Sequence, residues 1–330
     1  MISAADVAQD HVPSLTVPPA TNGRDGPDVT VEAQLMGGRV AIHLGLDPAA
    51  APRSGDVVRA RADARAILHR LEAWTRRLSR HRTESDLSRL NADPNAEVAI
   101  GPTLTAILDW SRAAETRTDG LADVTLLEAR LAAEGLVEAS SRRSSGSRAW
   151  SLRRGPRGAS VQRPAGLRFD LDGVAKGWLA DRALALAEGY PSAIIDADGD
   201  LAIRHASGRP WHFAVDGPDG GSTPLAVLRL PAGRYGLATS GTSVHRWQVA
   251  GQARHHLIDP RTGRSADRDV MQATVLAVSA RQAEVLAKAA LIAGSAAALR
   301  LLERHDVYGA LLVTIDGALL ATPGTLSWLA

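Results

Sequence analysis

Apolar and polar positions change period several times along the chain, and each change marks an element. Val40, Ile42 and Leu44 alternate with Arg39, Ala41 and His43, the period of two of a half-buried strand. Ala64, Ile67, Leu68, Leu71, Trp74 and Leu78 then recur at helical spacing with arginines opposite, which predicts an amphipathic helix. Leu104, Ile107 and Leu108 open another, running to about Thr118. From Glu138 to Ala159 the chain is rich in Ser, Arg and Gly. Its basic run of Arg142, Arg143, Arg148, Arg153, Arg154 and Arg157, with Trp150 as the sole aromatic residue, reads as a solvated loop and not as a nucleic-acid surface. Beyond it the pattern predicts a helix from about Val174 to Glu188, a hairpin turning near Asp198 and Gly199, and strands around Phe213 and Leu228. A strand near Val275, a helix from about Arg281 to Gly294, a second helix to about Arg304 and a hairpin turning at Asp316 and Gly317 follow. Strands and helices mix without regular βαβ alternation, so the expected fold class is α+β, with mixed or antiparallel sheets and packed helices.

Composition narrows the function classes. With 45% hydrophobic but only 4% aromatic residues, the core is built of Ala, Val, Leu and Ile. A formal charge of +2 argues against a surface made chiefly for nucleic acid or anionic lipid. The chain has no cysteine, which removes disulfides, thiolate metal sites and cysteine nucleophiles together. No apolar stretch is long enough to span a bilayer. Met1 to Pro27, polar and dotted with prolines, reads as the flexible leader of a soluble, cytoplasmic protein. Lys176 and Lys288 are the only lysines in an arginine-rich chain.

No dinucleotide-binding glycine motif, phosphate-binding P-loop or nucleophile elbow occurs. Five short polar motifs stand at the edges of apolar segments instead. Ser88-Arg89-Leu90-Asn91 follows the amphipathic helix, and Gly120 to Thr125 places Asp123 either at a cap or in a pocket wall. Asp170-Leu171-Asp172-Gly173-Val174-Ala175-Lys176 precedes a helix, where the carboxylates can serve as caps and Lys176 opposes the helix dipole. Ala238-Thr239-Ser240-Gly241 ends a strand in hydroxyls able to cradle phosphate. His255-His256-Leu257-Ile258-Asp259-Pro260-Arg261-Thr262-Gly263 is the sharpest of the five.

Taken in order with Met36-Gly37-Gly38, Asp196 to Asp200 and Ala283 to Ala290, these motifs resemble the ApbE family of flavin transferases from about Val31 to the C-terminus. The resemblance implies a T-fold-like domain over residues 28–330, made of two lobes with FAD in the cleft between them. It also implies an activity: FAD is cleaved with a magnesium ion, FMN is joined to a Thr or Ser hydroxyl of an acceptor protein, and AMP leaves. The alternative within the family is an FAD-binding or FAD-hydrolysing member. By the same resemblance Met36, Ser88, Asn91, Asp123, Asp170, Lys176, Thr239, Ser240, Gly241 and Leu257 contact the flavin nucleotide. His256 accepts the hydroxyl proton, and Asp259 orients it or supports the metal shell.

Five residues in three places depart from the family pattern. Leu121-Ala122 replaces an Ala-Phe pair, and Asp198 stands where the first of two glycines is usual. The family's metal is held by a backbone carbonyl matching Gly173 and by an Asp and a Thr at i, i+4 on a helix. Here the last two positions are Glu284 and Lys288. Glu284 can ligate magnesium, but a lysine ammonium has no lone pair. At that spacing the two also fit an ordinary helix-surface ion pair.

Overall fold

Residues 15–16, 28–47, 53–138, 149–156, 158–206, 210–221, 223–243 and 245–330 are described by the computed structural model. Apart from Leu15 and Thr16 the leader lies outside them, as do Arg142, Arg143, Arg148 and Arg157 of the basic run. Arg153 and Arg154 are exposed on the strand Ser151–Gly155.

The principal sheet has eight strands: β1 (Val29–Leu35), β2 (Gly38–Gly45), β3 (Ser192–Ala197), β4 (Asp200–His205), β5 (Gly233–Gly241), β6 (Val270–Ala277), β7 (Val307–Thr314) and β8 (Leu319–Ala321). Each lies beside its neighbour in the chain, and every pairing is antiparallel. The connection from β2 to β3 is a long excursion through α1 (Ser54–Leu78), α2 (Asp86–Ala92), α3 (Pro102–Arg117), α4 (Leu127–Ala133) and α5 (Lys176–Ala185). Between β6 and β7 stand α6 (Ala280–Ala293) and α7 (Ser295–Glu303). Helices packed on an antiparallel sheet give the α+β class expected from the unalternating pattern.

The alternation along the strands decides which face each layer covers. Val40, Ile42, Leu44, Ala193, Ile195 and Ala202 face α1 and α5, meeting Ala60, Ala64, Ile67, Leu71, Ala180 and Ala183. Their neighbours Ile194, Leu201 and Ile203, with Leu237, Leu276 and Leu311, point the other way. They pack on Trp211, Phe213, Val215, Leu228 and Leu230 of a small sheet. Because both faces of β3 are covered, all of its residues are buried, and the polar-apolar alternation of a half-exposed strand is lost there.

Helix α6 comes unusually close to its neighbours. A Cβ at Gly236 of β5 would overlap the backbone of Ser279 and Ala280, and one at Gly177 of α5 would overlap the Ala280 carbonyl. Helices α5 and α6 also cap one another. Asp181 accepts from the amides of Ala280 (3.0 Å) and Arg281 (3.1 Å) at the start of α6. Glu284 in turn accepts from those of Lys176 (3.3 Å) and Gly177 (3.0 Å) at the start of α5. Four otherwise orphan helix donors are satisfied in this way. The α5 N-cap, Ala175, offers no side chain, so Asp170 and Asp172 are not the caps that their place before the helix led one to expect.

Candidate functional site

The strand register brings the Met36–Gly37 turn, the Asp198–Gly199 turn and the Gly241 end of β5 to one end of the sheet. Both turns have left-handed central residues, with φ of 58° and 88° at Met36 and Gly37 and of 58° and 87° at Asp198 and Gly199. That geometry matches the twist of the strands it joins. Met36 packs against the two core clusters on the helical side. Asp198 holds a conformation that opposes an L side chain by about 1 kcal/mol. Its carboxylate fills the space over Gly38, where a Cβ would overlap it.

Lys176, the first residue of α5, reaches this end. Its Nζ donates to the Asp198 carbonyl at 3.2 Å and lies 3.6 and 3.7 Å from the carboxylates of Asp198 and Asp200. Burial works against its charge, but Asp200, Asp198, Glu284 and Asp172 outweigh that and raise its pKa. A cation set against the α5 dipole is therefore held by side chains from β3–β4 and α6. Burial pushes Asp200 up to about 7, and its Oδ2 has no hydrogen-bond partner among the described residues.

A second group centres on Arg130 of α4, which is only 7% exposed. Its guanidinium donates to Glu134 (2.6 Å), to the Asp172 carboxylate (2.9 Å) and to the His256 carbonyl (2.9 Å). It also lies over the Trp247 ring, 5.2 Å from the centroid. Protein surrounding Asp172 opposes its charge, yet Arg130 above all, with Lys288 and Lys176, draws the carboxyl well below the usual range. Burial, then Arg130, His245 and Lys288, drive His256 well below the ordinary imidazole value against the opposing pull of Asp172. The ring is thus neutral at physiological pH. Its Nδ1 is buried without a partner among the described residues, and His245 stands edge-on to it at 5.2 Å.

Asp170, Gly173, Lys176, His256, Glu284 and Lys288 thus converge, and the Asp170 amide donates to Val124 beside Asp123 at 2.8 Å. Burial raises Asp170, with Asp172 adding to the shift. Other expected residues serve the scaffold. Asn91 exchanges two hydrogen bonds with the backbone of Phe169, which fixes the approach to Asp170. The buried Asp123 carboxylate closes a turn on Thr125, accepting from its amide (2.7 Å) and hydroxyl (2.8 Å). Ser88 turns its hydroxyl to carbonyls at the end of α1. Leu257 is a core residue. The Ala238–Gly241 stretch is strand up to Gly241, and the Thr239 hydroxyl meets that of Thr274 (2.9 Å). By alternation Thr239 shares the face of Leu237 and points away from α6, while Ser240 takes the α6 side.

Both Asp259 oxygens accept from Arg261, at 2.8 and 2.7 Å, which pins the turn that follows, and among the described residues it makes no hydrogen bond to His256. Asp172 and Arg130 act on the imidazole instead. Nor are Glu284 and Lys288 a surface pair, for they are 3% and 8% exposed.

The same residues do not fit a divalent cation. Each Glu284 oxygen already accepts from an amide of α5, and the third expected ligand is an ammonium with no lone pair. The Lys288 Nζ donates to the Asp172 carbonyl at 2.9 Å, one residue before the expected carbonyl. Among the described residues no group of three or more His, Asp or Glu side chains is placed to hold a metal.

Known proteins resemble this chain in sequence and in fold. An FAD:protein FMN transferase of Treponema pallidum is 30% identical over 173 residues, 48% of this chain and 47% of its own. One of Vibrio cholerae is 27% identical over 154 residues, 46% of each chain. The matched stretch therefore spans about half the length of these relatives. Among solved structures, the ApbE protein of Thermotoga maritima superposes with a TM-score of 0.78 at 23% identity, covering 92% of this chain and 99% of that one. The flavin transferase ApbE of Vibrio cholerae gives 0.72 at 22%, covering 91% and 99%. The ApbE family model matches residues 36–312, from the Met36 turn through Lys176, His256 and Lys288 to β7, and the chain belongs to the ApbE family.

Proposed function

We propose that this chain is an FAD:protein FMN transferase, which moves FMN from FAD to a Thr or Ser hydroxyl of an acceptor protein and releases AMP. One observation carries the reading: a neutral imidazole, His256, is fixed through its own carbonyl by Arg130 and stands in a field set by Asp172, Lys288 and Arg130. Transfer of a phosphoryl group needs a proton acceptor at the incoming hydroxyl and positive charge at the oxygens that gain it. His256 meets the first need, because burial and its cationic neighbours keep it unprotonated. Lys176, Lys288 and Arg130 meet the second. Met36 and the loop from Asp170 to Gly173 are the proposed seat of the nucleotide, and the names of the relatives support the reaction and the acceptor class.

The test is incubation with FAD and a protein substrate bearing an acceptor Thr or Ser, with mass spectrometry for a covalent FMN. The wild type forms the adduct. His256→Gln loses about 100-fold or more in turnover, the usual contribution of a positioned base, while its FAD affinity stays within about threefold. An unchanged rate in that variant refutes the assignment. FMN and AMP formed without any adduct would instead identify an FAD hydrolase.

A further inference from the structure

Helix α6 buries two charged side chains, Glu284 and Lys288, among residues that are Ala, Val, Leu and Ile apart from Gln282, and burying charge there is costly unless each is used. Capping α5 accounts for Glu284. It does not account for Lys288, which points at the loop where the nucleotide is proposed to sit.

That loop is shaped around the ammonium. The Asp172 carbonyl accepts from Lys288 Nζ at 2.9 Å. Gly173 is left-handed, with φ of 88°, and a Cβ on it would overlap both Nζ and Cδ of Lys288. A side chain at residue 173 would therefore displace the Lys288 ammonium from the place it holds over this loop. The charge is felt by both reactive neighbours, since Lys288 helps to hold Asp172 ionised and His256 neutral. The Asp172 carbonyl takes one of the three N–H donors, and a lysine ammonium is a compact point charge whose remaining donors can meet phosphate oxygens.

We infer that the Lys288 ammonium takes over the charge-neutralising part that the family gives to a divalent cation, so that this chain binds the FAD pyrophosphate, and transfers FMN, without one. The inference rests on the transferase reading. In the step it supports, the acceptor hydroxyl oxygen bonds to the FMN phosphorus as the bond from that phosphorus to the bridging oxygen breaks. AMP leaves with the bridging oxygen and the bond pair, and the hydroxyl proton goes to His256. Lys288 transfers no proton; it donates a hydrogen bond to oxygens that gain charge.

The experiment is a fluorescence titration of FAD, and separately of riboflavin, into EDTA-stripped protein with and without millimolar MgCl2. The expected wild-type result is FAD bound more tightly than riboflavin, with an affinity that MgCl2 changes by less than about twofold. Lys288→Met, which keeps the length and loses the charge, should weaken FAD by about tenfold or more and leave riboflavin within about twofold. Lys288→Thr should bind FAD in a way that MgCl2 strengthens. Tighter FAD binding that requires MgCl2 in the wild type overturns this inference alone, and so does unchanged FAD affinity in Lys288→Met. Equal affinities for FAD and riboflavin overturn the nucleotide site and the inference together. The wild-type magnesium titration needs no variant, so it decides even if Lys288→Met fails to fold.

Discussion

Replacing Glu284 by alanine separates its capping role from a metal-ligand role. The two amides it accepts, those of Lys176 and Gly177, belong to the first turn of α5, and the N-cap residue supplies no substitute. Glu284 is 3% exposed, so water cannot replace it without a local opening. An orphaned buried amide costs about 1 to 3 kcal/mol. Against this, burial pushes the Glu284 carboxyl well above its ordinary range, so its removal also ends an unfavourable desolvation. A net loss of about 2 to 4 kcal/mol follows for Glu284→Ala. Glu284→Gln keeps one acceptor oxygen and turns an amide donor toward the second N–H, which predicts a smaller loss of about 1 to 2 kcal/mol. Urea unfolding in EDTA, read at the midpoint, should rank wild type above Gln above Ala. A Glu284→Ala protein within about 0.5 kcal/mol of wild type in EDTA refutes the capping argument. So does a loss that appears only when MgCl2 is present.

Two further outcomes follow from the charges of the site. Native Asp200, raised from 3.8 to about 7, keeps a proton that the unfolded chain gives up, so wild-type stability falls as pH rises across that window. Asp200→Asn should therefore gain in melting temperature over wild type at about pH 8 and not at about pH 4; parallel curves would refute this. Arg130→Met removes a cation that lowers the His256 pKa, so the acidic limb of the kcat/KM profile should move to higher pH, and an unmoved limb would show that the guanidinium does not act on the imidazole.

Much of this was legible because local chemistry decided it. Asp-Gly dipeptides marked both hairpin turns, and helical periodicity marked α6 and α7. Residues whose partners lie far along the chain were harder to read. Glu284 serves amides 107 and 108 positions away, so its spacing to Lys288 pointed first to a metal or a surface pair. Arg130 joins residues 42 and 126 positions on. Its one local signal is that it stands one turn after Leu127, on a face where an exposed arginine does not belong. At Asp259 nearness to His256 in sequence hid a partner nearer still, an arginine two residues along.

The strand order carries a consequence for how the chain is built during synthesis. From Asp200 to Ala321 each strand of the principal sheet pairs with one made shortly before, across short turns, small hairpins or a helical pair, so closure is entropically cheap. The hairpin of β1 and β2 has a different history. The hydrogen-bonding edge of Gly38–Gly45 must wait until residues 46–191 have left the ribosome before Ser192–Ala197 arrives to pair with it. An unpaired edge is a template for wrong partners. Of the pairings in the principal sheet, that of β2 with β3 spans the longest stretch of intervening chain, and it is the contact that closes that edge.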